Sequence, residues 1–268
     1  MYSNDMIKMT AKEDKDKGMD IPGILKILEA PPSRFPHQAI IAANAQKEKI
    51  IPEFLKLIGE PKVLLKKCKE IPDYLGHIYA FFFLAKYRIK KAFPLIIQLF
   101  QSPTSDIDAL GTDLLIENFP AVIGSVYDEN LEPVKEIIEN SEHNEYIRAT
   151  MLQALLYLVI HGQYPKESFI KYCMVLFRDS SKLEKRPSMV WCILVKIAGL
   201  LAEKKLINEI QAAFSHGLVD MTYIRLNAVK RMMKQGWDQN LKRLRKDPMY
   251  QPITDIPAMM EWWACFRG

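Results

Sequence analysis

The stretch AFFFLAKYRIKKAFPLIIQLF, Ala80 to Phe100, decides the fold class. Its first part is apolar at almost every position, and a basic break, KYRIKK at 86–91, follows. A second apolar run then opens around Pro94. Proline is tolerated in the first turn of a helix, where its missing N–H would have had no partner. The stretch therefore reads as two helices joined by a short polar connection. MLQALLYLVIHGQYPKESFIKYCMVLF, Met151 to Phe177, repeats the plan with its break before Pro165.

The same unit recurs along the chain. IIPEFLKLI surrounds Pro52 and LEPVKEII surrounds Pro133, so Pro52, Pro94, Pro133 and Pro165 follow one another at intervals of 42, 39 and 32 residues. Helical-pair repeats have periods of roughly 33 to 47 residues. Ala80, Ala85, Ala92 and Ala154 are small enough to let neighbouring helices approach closely. Alternating β-branched runs and Asn-Gly or Asp-Gly hairpin turns are missing. The expected fold is all-α, an α-α superhelix of the HEAT-like or armadillo type, built from stacked antiparallel helix pairs.

Flanking signals extend the pattern. Asp20 is placed to cap a helix bearing Ile24, Leu25, Ile27 and Leu28, and Ser188 one running through Trp191 to Leu201. His161-Gly162 and His216-Gly217 read as helix ends. Asp220 is placed to cap a helix carrying Ile224, Val229 and Met232 that stops near Gly236, and a closing aromatic helix is expected from about Ile256 to Phe266. The organisation that follows is a disordered tail at 1–19, a repeat body at 20–236 and a capping segment at 237–268 packed on the last repeat.

Composition limits the function classes. Of 268 residues 49% are hydrophobic and 26% charged, enough to bury a sizeable core. No segment reaches the roughly 18 apolar residues of a membrane span: Tyr74 to Ala85 is too short, and Lys196 interrupts Met189 to Leu201. The first twenty residues lack the apolar region of a signal peptide, so a cytoplasmic location is expected. Cys68, Cys173, Cys192 and Cys265 lie far apart without a Cys-x-x-Cys pair, the pattern of reduced thiols packed as small hydrophobes.

SRFPHQAIIAANAQKEKIIPEFL, YAFFFLAKYRIKKAFPLIIQLF, NEYIRATMLQALLYLV and EWWACF together resemble, from about Ser33 to Phe266, the uncharacterised bacterial family called domain of unknown function 1186. The resemblance implies a HEAT-like fold and carries no activity or catalytic residues with it. Many relatives add a cysteine-rich, zinc-binding SEC-C motif, whereas here only Cys265 lies near the end. A zinc role borrowed from them has no residues to rest on.

Candidate sites are few. From Arg225 onward nine basic residues face four acidic ones, so this portion holds the whole net charge of +5. Arg225, Lys230, Arg231, Lys234, Lys242, Arg243, Arg245 and Lys246 could neutralise phosphates of a nucleic acid, with Trp237 beside them as a stacking ring. A solvated helix face explains the same charges. Trp262 and Trp263 either close the core or contact a partner; about 100° apart on a helix, one can be buried and the other exposed. Asp106, Asp108, Asp113 and Glu117 form the densest acidic series and fit a helix first turn and an exposed face. His37, His77, His143, His161 and His216 never stand four apart and none precedes a glutamate, unlike the ligands of HEAT-like iron hydroxylases. Phosphate-loop, dinucleotide and nucleophile-elbow glycine motifs do not occur. The expectation is a non-catalytic interaction protein that holds an unknown protein or peptide, with nucleic acid as the alternative partner. No catalytic residue, metal ligand, cofactor or membrane span is expected.

Overall fold

The computed structural model describes residues 18–31, 33–102 and 108–267, apart from the side chains of 108 and 112–117. The expected tail, but for residues 18 and 19, and the side chains of Asp106, Asp108, Asp113 and Glu117 lie outside them. Among the described residues every regular element is helical. The chain divides into two compact units, Met1–Leu84 with Thr254–Gly268, and Ala85–Ile253.

The first unit begins with α1 (Ile21–Leu28), α2 (His37–Ala45), α3 (Lys47–Gly59) and α4 (Pro61–Glu70), with α1 packing on α2, α2 on α3 and α3 on α4. Asp20 caps α1 as expected: its Oδ1 accepts from the Gly23 amide at 2.9 Å. Pro52 departs from the expected pattern, because it lies well inside α3 rather than at its start. Lys47 to Ile51 are good enough helix formers to start the helix earlier. Next comes α5 (Gly76–Lys86), buried continuously from Gly76 to Ala85. A helix apolar on all sides must be enclosed on all sides. In this unit Phe83 stacks on Phe54 with ring centroids 5.2 Å apart.

The second unit contains α6 (Ala92–Phe100), α7 (Thr112–Val126), α8 (Glu132–Glu139), α9 (Glu145–Ile160), α10 (Lys166–Arg178), α11 (Met189–Leu201), α12 (Ile207–Ser215), α13 (Leu226–Gln235) and α14 (Trp237–Leu244). Two rows emerge from their packing. One is α7, α9, α11 and α13, each against the next; α6 with α8, and α10 with α12, pair in the other. Sequence neighbours join the rows, as in an α-α superhelix: α8 on α9, α10 on α11, α13 on α14. The first row is the core, with α9 buried from Ile147 to Ile160. Close approach there requires glycine. A Cβ at Gly124 would lie 2.0 Å from the Tyr157 ring, and one at Gly199 2.7 Å from Val229 Cγ1.

Proline punctuation holds in this unit: Pro94 and Pro133 lie in first turns and Pro165 is the N-cap of α10. Ser188 caps α11, its Oγ accepting from the Trp191 amide at 3.5 Å. Asp220 does not cap α13. It closes a turn five residues earlier, accepting from the Thr222 amide at 2.8 Å and the Thr222 hydroxyl at 2.7 Å, and the helix starts at Leu226. Asn240, completely buried on α14, donates through Nδ2 to the carbonyls of Leu200 at 2.8 Å and Met232 at 2.9 Å. It ties the ends of α11 and α13 together.

The closing segment differs from the expected single cap. Its head, α14, packs on α11 and α13, whereas α15 (Ile256–Met260) packs on α2 in the first unit. The aromatic run is not one helix: α15 stops at Met260 and a short 3-10 turn covers Ala264–Phe266. Its apolar side chains find matching surface in the first unit, where Trp263 meets the Phe82 ring edge-on at 6.1 Å and Phe266 meets Phe35 at 5.2 Å.

Candidate functional site

The first unit holds an open cleft of about 790 Å³ between α1, the 30–36 connection and the closing turn. Phe35, Leu75, Tyr79 and Phe266 line it with hydrophobic surface, and Ile27 projects into it while remaining 43% exposed. Lys26 and Arg34 stand exposed on its border, and among the described residues no carboxylate lines it. His37 Nε2 lies 3.6 Å from Glu261 Oε2 at the same border. The cleft follows from local sequence. Pro31 and Pro36 bracket a connection that cannot continue either helix, so Phe35 turns inward alone. The sequence named none of the cleft's apolar residues as a site; Ile27 read there as part of the apolar face of α1 with Ile24, Leu25 and Leu28.

Of the tryptophans expected to contact a partner, Trp262 is 52% exposed and Trp263 only 5%. The closing turn thus buries one ring and presents the other, in the unit that contains the cleft. Trp237 is distant in sequence from both and half-buried, its ring 5.2 Å below the Lys166 ammonium.

An arrangement suggestive of nucleophilic chemistry also lies in the first unit. Cys68 Sγ is 3.7 Å from His77 Nδ1, a proximity hidden in sequence by the break between α4 and α5. Burial pushes the Cys68 thiol up to about 12, so it is protonated at neutral pH and is a poor nucleophile. Nearby, the Tyr74 hydroxyl donates to Glu29 Oε2 at 3.1 Å, and Lys67 donates to the same oxygen. Burial first, and the Glu29 charge second, raise the Tyr74 phenol well above its ordinary value. Among the described residues no three His, Cys, Asp or Glu side chains gather as a metal ion would require.

At the far end of the second unit, Arg225, Lys230, Arg231, Lys234, Lys242, Arg243, Arg245 and Lys246 are all exposed. Gly236, at φ 79°, breaks the stretch into α13 and α14 rather than one helix. The break spreads the charges over two helix surfaces, with Val229 and Leu244 facing inward. Arg243 donates to Gln235 Oε1 at 2.9 Å and Arg245 lies 3.5 Å from the Ile160 carbonyl. Among the described residues none of the eight has an acidic partner within ion-pair distance, whereas Lys90, Lys135, Arg148, Arg178 and Lys182 in the same unit each have one.

Comparison with known proteins yields a family and no chemistry. The family described as "Protein of unknown function (DUF1186)" matches residues 19–267. A Chlamydia trachomatis protein named "Uncharacterized protein" is 32% identical over 246 residues, which cover 91% of this chain and 96% of the relative. A Chlamydia muridarum protein of the same printed name is also 32% identical over 246 residues, covering 97% of its own length. No solved structure matches the chain.

Proposed function

The chain belongs to the DUF1186 family, and on that premise we propose that it acts by binding, as a non-catalytic interaction protein whose first unit grips a segment of a partner protein. The observation that carries this reading is the cleft bounded by Ile27, Phe35, Leu75, Tyr79 and Phe266, with Lys26 and Arg34 unmatched by any lining carboxylate. Such a surface suits a peptide that inserts one apolar side chain and lays acidic residues beside it. Aromatic and arginine side chains are the groups that dominate affinity at interfaces. Trp262, exposed in the same unit, adds a further apolar contact.

Affinity capture from the native host compares the wild-type chain with a Lys26→Glu/Arg34→Glu variant. A partner enriched by the wild type and lost by the charge-reversed variant is expected. A partner set indifferent to the reversal overturns the reading.

Eight cations on and beside α13 and α14, without an acidic partner among the described residues, favour one second reading, binding of nucleic acid towards the other end of the chain. It requires an electrophoretic shift of DNA or RNA that weakens with salt and with combined Lys242, Arg243, Arg245 and Lys246 substitution to alanine. Absence of a shift at low salt removes it.

A further inference from the structure

Lys196 is the one charged residue in MVWCILVKIAGLL, the helix α11, and Val190 to Leu201 are otherwise buried. An ammonium in that position costs stability unless something compensates it. Nothing among the described residues does so within hydrogen-bond or ion-pair distance. Burial lowers its pKa, and the charge of Asp247 opposes that shift only in part.

Lys196 borders a cleft of about 630 Å³ in the second unit, with Tyr223, Arg225, Asn227 and Arg231 among the other lining residues. Three cations line one space without a lining carboxylate. Arg225 and Arg231 are exposed, and the charge that acts on Lys196 is that of Asp247, which is not among the lining residues. The first turn of α13 lines the same cleft and no side chain caps it.

We propose that this cleft is a binding site for a nucleoside phosphate. Lys196, Arg225 and Arg231 supply charge-assisted donors for phosphoryl oxygens, and a guanidinium can meet two of them at once. The size of the cleft falls in the range of small-ligand sites and exceeds what a phosphate group fills by itself. Tyr223, 45% exposed at its border, provides an aromatic face on which a planar base can stack. A bound phosphate would give the three cations a shared counter-charge. This site is independent of the cleft in the first unit, so either can fail without the other.

Calorimetric titration of the full chain with ADP, pyrophosphate, adenosine and a single-stranded oligonucleotide tests the proposal. ADP is expected to saturate one site, pyrophosphate to bind the same site more weakly, and adenosine to give no heat. Lys196→Met is expected to weaken ADP at least about tenfold while the free protein melts no lower than wild type. Arg231→Gln, at an exposed position, serves as the second variant should Lys196→Met misfold. Lys242→Gln/Lys246→Gln, which alters only cations outside the cleft, is expected to leave ADP binding unchanged. No saturation by ADP at millimolar concentration overturns the site, as does binding by both Lys196→Met and Arg231→Gln as tight as that of wild type. So does a loss with Lys242→Gln/Lys246→Gln as large as with those variants, which assigns the affinity to diffuse surface charge. Adenosine binding as tight as ADP also overturns it, and so does oligonucleotide binding that ADP does not compete.

Discussion

Two charged residues of the second unit occupy opposite energetic positions. Arg148 is completely buried, but its Nη1 and Nη2 donate to the two carboxylate oxygens of Glu184 at 3.0 and 2.8 Å, and its Nε donates to the Ile138 carbonyl at 2.9 Å. Among the described residues Lys196 has no such partner. Burial of Glu184 by itself raises the carboxyl pKa, but the Arg148 hydrogen bonds and those from the backbone and Ser188 outweigh it and hold the pKa below the ordinary 4.5. The stabilisation from this carboxylate is therefore complete above pH about 4.5 and is lost as pH falls through the lower folded value. Glu184→Gln should cost about 3 kcal/mol or more at neutral pH, because it strands a buried guanidinium. It should also shrink the loss of stability on acidification, measured by urea unfolding across the acid range. Replacing both partners, Arg148→Met with Glu184→Leu, should restore most of the loss. A single variant as stable as wild type would show that the pair contributes nothing. None of this was legible in NEYIRAT, where Arg148 reads as one more polar position, because its partner lies 36 residues away across a loop.

At the scale of the helices, legibility followed the strength of local signals. The apolar runs at Ala80 and Met151 identified α5 and α9 as buried, and Asp20 and Ser188 marked true helix starts. Asp220 misled because an Asx turn and an N-cap ask for the same side chain, and the turn won by satisfying two Thr222 donors. Pro52 misled because a good helix former sequence can begin ahead of a proline. The close approaches at Gly124 and Gly199 were not legible, because their spacing says nothing about which helix will meet them. Gly124→Ala should drive a methyl into the Tyr157 ring and separate α7 from α9 at a cost of about 1 to 3 kcal/mol. Thermal denaturation checks this, with Gly124→Ala/Tyr157→Leu as the variant expected to recover stability. Unchanged melting of Gly124→Ala would mean that the two helices have room to spare.

Over the whole chain, an all-α class and the helical pairing of the second unit were readable from proline spacing and apolar run length. The assignment of the final residues was not. EWWACF reads as an apolar cap wherever it packs, and only the three-dimensional match of Trp263 to Phe82 and Phe266 to Phe35 assigns it to the first unit. The basic stretch was visible as composition, whereas the cleft containing Lys196 was not, since its lining joins positions 196 and 222–232. The cleft at Phe35 escaped for the same reason: Ile27, Leu75 and Phe266 belong to three separated segments. No helix among the described residues is long and apolar enough to cross a membrane. The central claim is that this cleft holds a partner segment. The most direct measurement places a photo-crosslinking phenylalanine analogue at Ile27, inside the cleft, and at Ile207 in the other unit, and irradiates cells of the native host. One discrete adduct from position 27, absent from position 207 and abolished by Lys26→Glu/Arg34→Glu, is the predicted result. No adduct at position 27, or the same adducts from both positions regardless of the charge reversal, would contradict it.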